Sequence, residues 1–291
     1  MRLALGTAQF GMPYGINNVV GQVSEENAKS ILKYAASVGI TTIDTAIAYG
    51  ESEKTLGNVG VASFNIITKI PEIPEKTGDV ECWVKTAVSD SLARLHVDYL
   101  DGVMLHRPGQ LFGIYGEKII RSLRDLKSDG IIKKIGVSVY SPDEFQSLFS
   151  LYDFDVIQCP FNLMDRRLVT SGWLEKLKTK GVEIHTRSSF LQGLLLMQRE
   201  EIPGKFDAWI RLWDIWHMWL EKNNTSALAA CLSYVHSYSE IAQIVIGVDS
   251  QAQLAEIVNS TQGAEMKSYP AIGSDDCALI NPANWDLLLK R

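Results

Sequence analysis

The sequence predicts an α/β fold, a single closed (β/α)8 barrel running through residues 1–291. Three observations predict it. Eight short apolar runs rich in β-branched residues alternate with longer helical patterns from end to end. Most of these runs are near-continuous Val/Ile/Leu, as expected of strands buried on both faces of a parallel sheet. The connections are too long for hairpins, which leaves parallel βαβ crossovers. No linker, low-complexity run or composition break divides the chain, and barrels of about 250 residues commonly form one domain. A doubly wound open sheet competes on pattern alone. In either architecture the working face lies at the carboxyl ends of the strands.

The strands are expected at Leu3–Gly6, Thr41–Asp44, Asn65–Lys69, Tyr99–Leu105, Ile135–Val139, Val156–Pro160, Val182–Arg187 and Ile241–Gly247. Between the first two, Ser24 caps a helix that opens with Glu25-Glu26 and stops at Gly39. Asp79 caps Val80–Leu95, and Gly130 sits just past Ile114–Asp129. Ser141-Pro142-Asp143-Glu144 reads as a cap followed by proline at the first helical position. Leu174–Lys180 ends at Gly181, and Ala208–Lys222 with Ser226–Tyr238 makes one crossover longer than the rest. Gln251–Ser260 is the last helix, and an irregular tail follows.

A chain that is 46% hydrophobic and 21% charged has ample material for a large core. Its net charge of -6 argues against a nucleic-acid surface, which is normally basic. Cys82, Cys159, Cys231 and Cys277 lie far apart without metal-ligand spacing, and read as buried thiols in a reducing compartment. The opening Met1–Gly6 is too short and too weakly basic for a signal peptide, and no run reaches the roughly 18 apolar residues of a membrane span. A cytoplasmic location without membrane or nucleic-acid partners is expected.

Just past the strands stand Gly6-Thr7, Asp44, Lys69, His106, Ser138, Gln158, Arg187 and Gly247, with Tyr49 five residues beyond Asp44. If the barrel closes, a carboxylate, an amine, a phenol and an imidazole share one mouth, which is a proton-transfer constellation. Reducing a carbonyl by hydride leaves an alkoxide that must be protonated. A phenol of ordinary pKa about 10 is poorly matched to that task near neutrality, and the Lys69 ammonium is expected to lower the pKa of Tyr49. Asp44 would keep that lysine charged, and His106 would orient the carbonyl. Taken singly, Asp44 also reads as a helix cap or ion-pair partner and Lys69 as a solvated charge. Tyr49 alone reads as a loop aromatic and His106 as a satisfied core histidine. A metal-dependent barrel enzyme would need a His/Asp/Glu ligand set at these strand ends, and no metal site is expected.

The words around these residues are recognisable. Asp44-Thr45-Ala46-Ile47-Ala48-Tyr49-Gly50-Glu51-Ser52-Glu53, then Ile67-Thr68-Lys69, Leu105-His106-Arg107-Pro108 and Ile135-Gly136-Val137-Ser138, closely resemble the signatures of the aldo-keto reductase superfamily. With Gly6-Thr7-Ala8 and Gln158 the resemblance covers nearly the whole chain in order. It implies a barrel that binds extended NAD(P)H and reduces an aldehyde or ketone, or runs the reverse. The implied roles fall on Tyr49 as general acid/base, Lys69 and Asp44 as its tuning pair, and His106 as the orienting group. Ser138 and Gln158 match carboxamide-binding positions, and a hydroxyl with an amide can satisfy another amide. Further cofactor contacts implied are Gly6, Thr7, Ala8, Asp44, Arg187, Ser188, Phe190, Gln192, Gly193, Gly247, Ser250, Gln253 and Glu256. The Gly-Thr-Ala-Gln-Phe-Gly opening resembles members tied to sugar metabolism.

Departures from the family pattern carry information. Arg187 occupies the position of an aromatic that stacks on nicotinamide, and would stack there itself or bind an anionic substrate group. NADP is the family's default cofactor, met by arginine or lysine after the last strand. Asp249 and Gln253 stand there instead, which points to NAD or dual use. Ser250 and the following helix N-terminus suit a phosphate. The family's N-terminal hairpin has no counterpart before the first strand. Trp209, Trp213, Trp216 and Trp219 form a helical stripe, read as barrel packing, with a substrate wall or a subunit contact as alternatives. The loop Gln198–Phe206 and the tail Ser274–Arg291, with Trp285, are expected to shape the pocket. The expected partner is a small carbonyl or alcohol, and the expected assembly a monomer or small homo-oligomer. The other function class open to such a barrel is a nucleotide-binding regulatory subunit of the potassium-channel beta type, with little turnover.

Overall fold

Strand β1 (Leu3–Gly6) begins a sheet in which every strand pairs in parallel with its predecessor: β2 (Thr42–Asp44), β3 (Asn65–Ile70), β4 (Gly102–Leu105), β5 (Ile135–Ser138), β6 (Val156–Pro160), β7 (Glu183–Arg187) and β8 (Gln243–Gly247). Strand β8 then returns to β1, with Leu3 opposite Ile244 and Gly6 opposite Gly247, so the sheet closes into a (β/α)8 barrel. This computed structural model describes residues 1–16, 18, 21–261, 263, 266 and 268–288. No helix among the described residues is long and apolar enough to cross a membrane.

Side chains on a strand alternate between faces, so each short strand serves two cores. Leu3, Leu5, Ile43, Ile66, Val103, Val137, Ile157, Ile184 and Ile246 join the large buried cluster shared with the helices. The opposite parity points inside the ring, where Ile67, Met104 and Val156 form a separate small cluster. Two residues further along those same strands stand Lys69, His106 and Gln158. Period-two geometry therefore carries the apolar interior upward into polar residues at the carboxyl ends. At the amino ends lies an ionic group. Lys134 Nζ lies 2.9 Å from Asp101 and 2.8 Å from Glu183, and His185 Nε2 lies 2.7 Å from Glu183. The hydrogen bond with His185, then that from Lys134, outweighs burial and holds the Glu183 carboxyl down to about 2.

Local signals set the helix ends. Ser24 accepts the Asn27 N–H at 3.2 Å and Asp79 the Cys82 N–H at 3.0 Å, each satisfying one of the donors a helix start leaves open. The helix expected after Ser141 begins later, at Glu144, because Ser141 bonds to Asp143 while Glu144 accepts the N–H groups of Tyr140 and Ser141. Helix Ser52–Val59, between β2 and β3, has no counterpart among the expected elements. Its buried face carries Ser52, Glu53 and Thr55 beside Leu56 and Gly57. Buried Glu53 accepts from Thr68 at 2.5 Å, Ser91 at 3.2 Å and Arg94 Nε at 2.8 Å. Of the four thiols, Cys159 and Cys231 are buried whereas Cys82 and Cys277 are exposed.

Candidate active site

The loop after β2 is positioned by close backbone contact. A methyl on Gly11 would meet the Tyr49 carbonyl oxygen at 1.7 Å, and one on Gly50, whose φ is +55°, would meet the Gly11 carbonyl at 2.4 Å. Only glycine fits at both places. Ser52 ties the loop to β1, donating to the Thr7 carbonyl at 2.8 Å and meeting Thr45 Oγ1 at 3.1 Å. Thr7 itself donates to the Asp44 carbonyl at 3.1 Å. This mesh sets where Asp44 and Tyr49 face.

Beneath the mouth lies a buried polar group drawn from four strands. Lys69 Nζ sits 2.6 Å from Asp44 Oδ1 and donates to the Thr45 carbonyl at 3.0 Å. Gln158 Nε2 donates to Asp44 Oδ2 at 2.7 Å, and Ser138 Oγ to Gln158 Oε1 at 3.3 Å. Side-chain exposure is 0% for Lys69 and 4% for Asp44, so each charge depends on the other for compensation. The Lys69 ammonium lies 5.1 Å from the centre of the Tyr49 ring, and the His106 ring stands edge-on to Tyr49 at 5.6 Å. Asp44, Tyr49, Lys69 and His106 are thus brought together.

The electrostatics correct one expectation. Burial first, then the Asp44 carboxylate, raises the phenol of Tyr49 well above its ordinary range. Burial in turn lowers the lysine, and Asp44 partly restores it. His106 is pushed down to about 4, by burial and then by the Lys69 charge. At neutral pH the site therefore offers a protonated phenol and a neutral imidazole.

Above this group opens a cavity of about 960 Å³. Of the expected site residues, Gly6, Thr7, Ala8, Asp44, Tyr49, Gln158, Arg187, Ser188, Phe190, Gln192, Gly193, Gly247, Gln253 and Glu256 line it. Lys69 and Ser138 lie buried outside the lining, and His106 is off its wall. Ser250 is also outside the lining. Its hydroxyl accepts the Gln253 N–H at 3.2 Å as the cap of helix Gln251–Ser260. Gln253 bends back to accept the Asp249 N–H at 2.7 Å. The loop after β7 holds Ser188, Leu191 and Gln192 at positive φ. Such conformations cost about 1–3 kcal/mol each and cluster at functional sites. Asn162 braces the loop by donating to the Ser188 carbonyl at 2.9 Å.

Other expectations about the rim are revised. Among described residues, none of the tail from Ser274 onward lines the cavity, and residues 289–291 lie outside the description. Trp285 is instead buried against Phe206 at 5.0 Å. From the loop Gln198–Phe206 only Gln198 reaches the wall. Trp213 and Trp216 are core residues whose indole N–H groups donate to the Phe206 and Leu195 carbonyls. The neighbouring stripe of helix Ile210–Lys222 supplies the wall, through His217, Leu220 and Glu221. Their i, i+3 and i, i+4 spacing was a readable signal, masked by the louder tryptophans. Gln9, Tyr14 and Asn224 also line the cavity and were not anticipated.

The sequence profile of the Aldo/keto reductase family matches residues 2–269. The chain is 27% identical to L-galactose dehydrogenase of Arabidopsis thaliana, over 84% of this chain and 80% of that protein. It is 23% identical to the NADH-specific methylglyoxal reductase of Escherichia coli (strain K12), over 88% of each. Among solved structures, the holo form of an aldo-keto reductase from Bacillus halodurans superposes with a TM-score of 0.73 at 21% identity, over 91% of this chain and 88% of that one. A closed barrel with this mouth, and a profile match over nearly its whole length, lead to one statement: the chain belongs to the aldo/keto reductase family.

Proposed function

We propose that the protein reduces an aldehyde or ketone to the alcohol, or runs the reverse, with NADPH or NADH as hydride donor and Tyr49 as general acid/base. The observation that carries this reading is the buried Lys69–Asp44 pair beneath the Tyr49 ring, at the floor of a cavity large enough for a dinucleotide and a small substrate.

The residues present fit a nicotinamide dinucleotide. Gln158 keeps a second amide N–H and a second carbonyl lone pair beyond those used by Asp44 and Ser138, enough to meet a carboxamide. Residues of the β7 loop, with Gly247, Gln253 and Glu256, would hold the remainder along the cavity. A dinucleotide held there would supply the hydride for the carbonyl carbon. Tyr49 delivers its phenolic proton to the carbonyl oxygen as negative charge develops there, and its raised pKa keeps that proton in place until then. His106, neutral, donates a hydrogen bond to the same oxygen and orients the carbonyl. Lys69 stabilises the phenolate left behind, and Asp44 keeps the lysine charged.

NADP remains the family default. The wall carrying Asp249, Gln253, Glu256 and Glu221 nevertheless offers acceptors for ribose hydroxyls and, among the described residues, no arginine or lysine for a phosphate, which favours dual use. The relatives named as a galactose dehydrogenase and a methylglyoxal reductase support small polar carbonyls, sugars or sugar derivatives among them. A cytoplasmic location completes the proposal.

The test mixes the protein with NADPH or NADH and a panel of aldehydes and sugars, following loss of dinucleotide absorbance and dinucleotide binding separately. Turnover on at least part of the panel is expected. Tight binding without turnover of any carbonyl would favour the regulatory-subunit reading instead.

A further inference from the structure

At the mouth, beside Tyr49 and His106, the ring of Tyr140 carries two guanidinium groups. Arg187 lies over it at 4.9 Å and Arg107 at 5.9 Å from the ring centre. Stacking on an aromatic orients a guanidinium but provides no counter-charge. Among the described residues Arg94, Arg121, Arg167 and Arg199 find one at 2.7, 2.7, 2.8 and 2.8 Å, whereas Arg107 and Arg187, like Arg166 on Tyr234, do not. What distinguishes Arg187 from Arg166 is its place on the cavity wall. Among the described residues Arg107 has no ion-pair or hydrogen-bond partner, although it is exposed. Arg187 is half-buried on the cavity wall and, among the described residues, donates only to the Val139 carbonyl at 3.0 Å and, at long range, to Ser188 Oγ at 3.4 Å. Leaving a half-buried guanidinium without an anion is unfavourable unless a ligand supplies one. Both charges, after burial and Lys69, also help depress the imidazole of His106, so both fields reach the place where a carbonyl would be oriented.

We propose that Arg107 and Arg187, held on Tyr140, form a subsite for an anionic group, so that the preferred carbonyl substrate carries a carboxylate or a phosphate. The inference rests on the reductase reading above. Guanidinium forks match both anions in geometry and bond them more strongly than neutral acceptors. The subsite fixes the far end of the substrate while His106 and Tyr49 take the carbonyl end.

The experiment compares kcat/KM, with NADPH or NADH, for matched pairs: succinic semialdehyde against butanal, and glyceraldehyde 3-phosphate against glyceraldehyde. The charged member is expected to lead by about tenfold or more in at least one pair, and the pair in which it leads identifies the anion. Raising the ionic strength should shrink that lead. Arg107→Gln and Arg187→Gln should each lower kcat/KM more for the charged member than for its neutral partner, mainly through KM, and Arg107→Lys should restore part of the loss. Equal or better use of the neutral members in both pairs, or a lead that both Gln variants leave intact, would overturn the subsite while leaving the reductase reading standing. Failure to turn over any of the four compounds would count against that reading. The subsite is then judged by calorimetric titration with succinate and with phosphate: binding weakened about tenfold in Arg187→Gln supports it, and unchanged or absent binding overturns it.

Discussion

Replacing Lys69 by methionine removes the ammonium while keeping most of the apolar stem. Asp44 Oδ1 then loses its 2.6 Å partner inside a group whose side chains are 0% and 4% exposed. Removing one member of a buried ion pair costs about 3–5 kcal/mol, because the remaining charge is left uncompensated. Gln158 still donates to the other carboxylate oxygen at 2.7 Å, which places the cost at the lower end, about 3 kcal/mol. At about 2 °C per kcal/mol for a chain of this size, the melting temperature should fall by about 6 °C. Adding Asp44→Asn to Lys69→Met removes the stranded charge, so the double variant should be more stable than the sum of the two single losses. Thermal melting followed by near-ultraviolet circular dichroism on the four proteins measures this. A Lys69→Met protein that melts within about 2 °C of the parent, or strict additivity around the cycle, would refute the claim that these two charges compensate each other.

Other outcomes follow from the same structure. Reductive kcat/KM should stay flat between about pH 5.5 and 9, because His106 is already neutral above its value of about 4 and Tyr49 stays protonated beyond its ordinary range; a titration step near pH 6.5 in the profile would contradict it. Glu183, lowered to about 2 in the folded protein, contributes stability that is present above its unfolded value near 4.5 and is lost as pH falls through 2. Glu183→Gln should therefore cost about 1–2 kcal/mol at pH 7 in denaturant titrations, and the gap to the parent should close in strong acid. With Asp249 and Gln253 beside the last strand, the ratio of kcat/KM for NADPH and NADH should stay within about a hundredfold, or about 2.7 kcal/mol; a larger ratio in steady-state assays would rule out dual use.

How much was legible depends on where the signal lies. The strands were readable because buried parallel strands are continuous apolar runs, and the residues at their carboxyl ends, Asp44, Lys69, Ser138 and Gln158, converge once the ring closes. Helix Ser52–Val59 is not legible because Ser52, Glu53 and Thr55 on its buried face are polar, and Leu56 alone makes no apolar period. The tryptophan stripe pointed to packing, as found, but drew attention from His217 and Glu221 on the wall. The raised phenol of Tyr49 could not be anticipated from proximity alone. It depends on how deeply the phenol is buried and how near the Asp44 carboxylate lies, and both are set by the closed barrel.

Tyr49→Phe tests the central claim most directly, since it removes one oxygen and leaves the ring against His106. Single-turnover reduction should fall by about two to four orders of magnitude, the range typical of a lost general acid, while dinucleotide affinity stays within about threefold of the parent. Reduction that continues at near-parental rates without the phenolic proton would contradict the account.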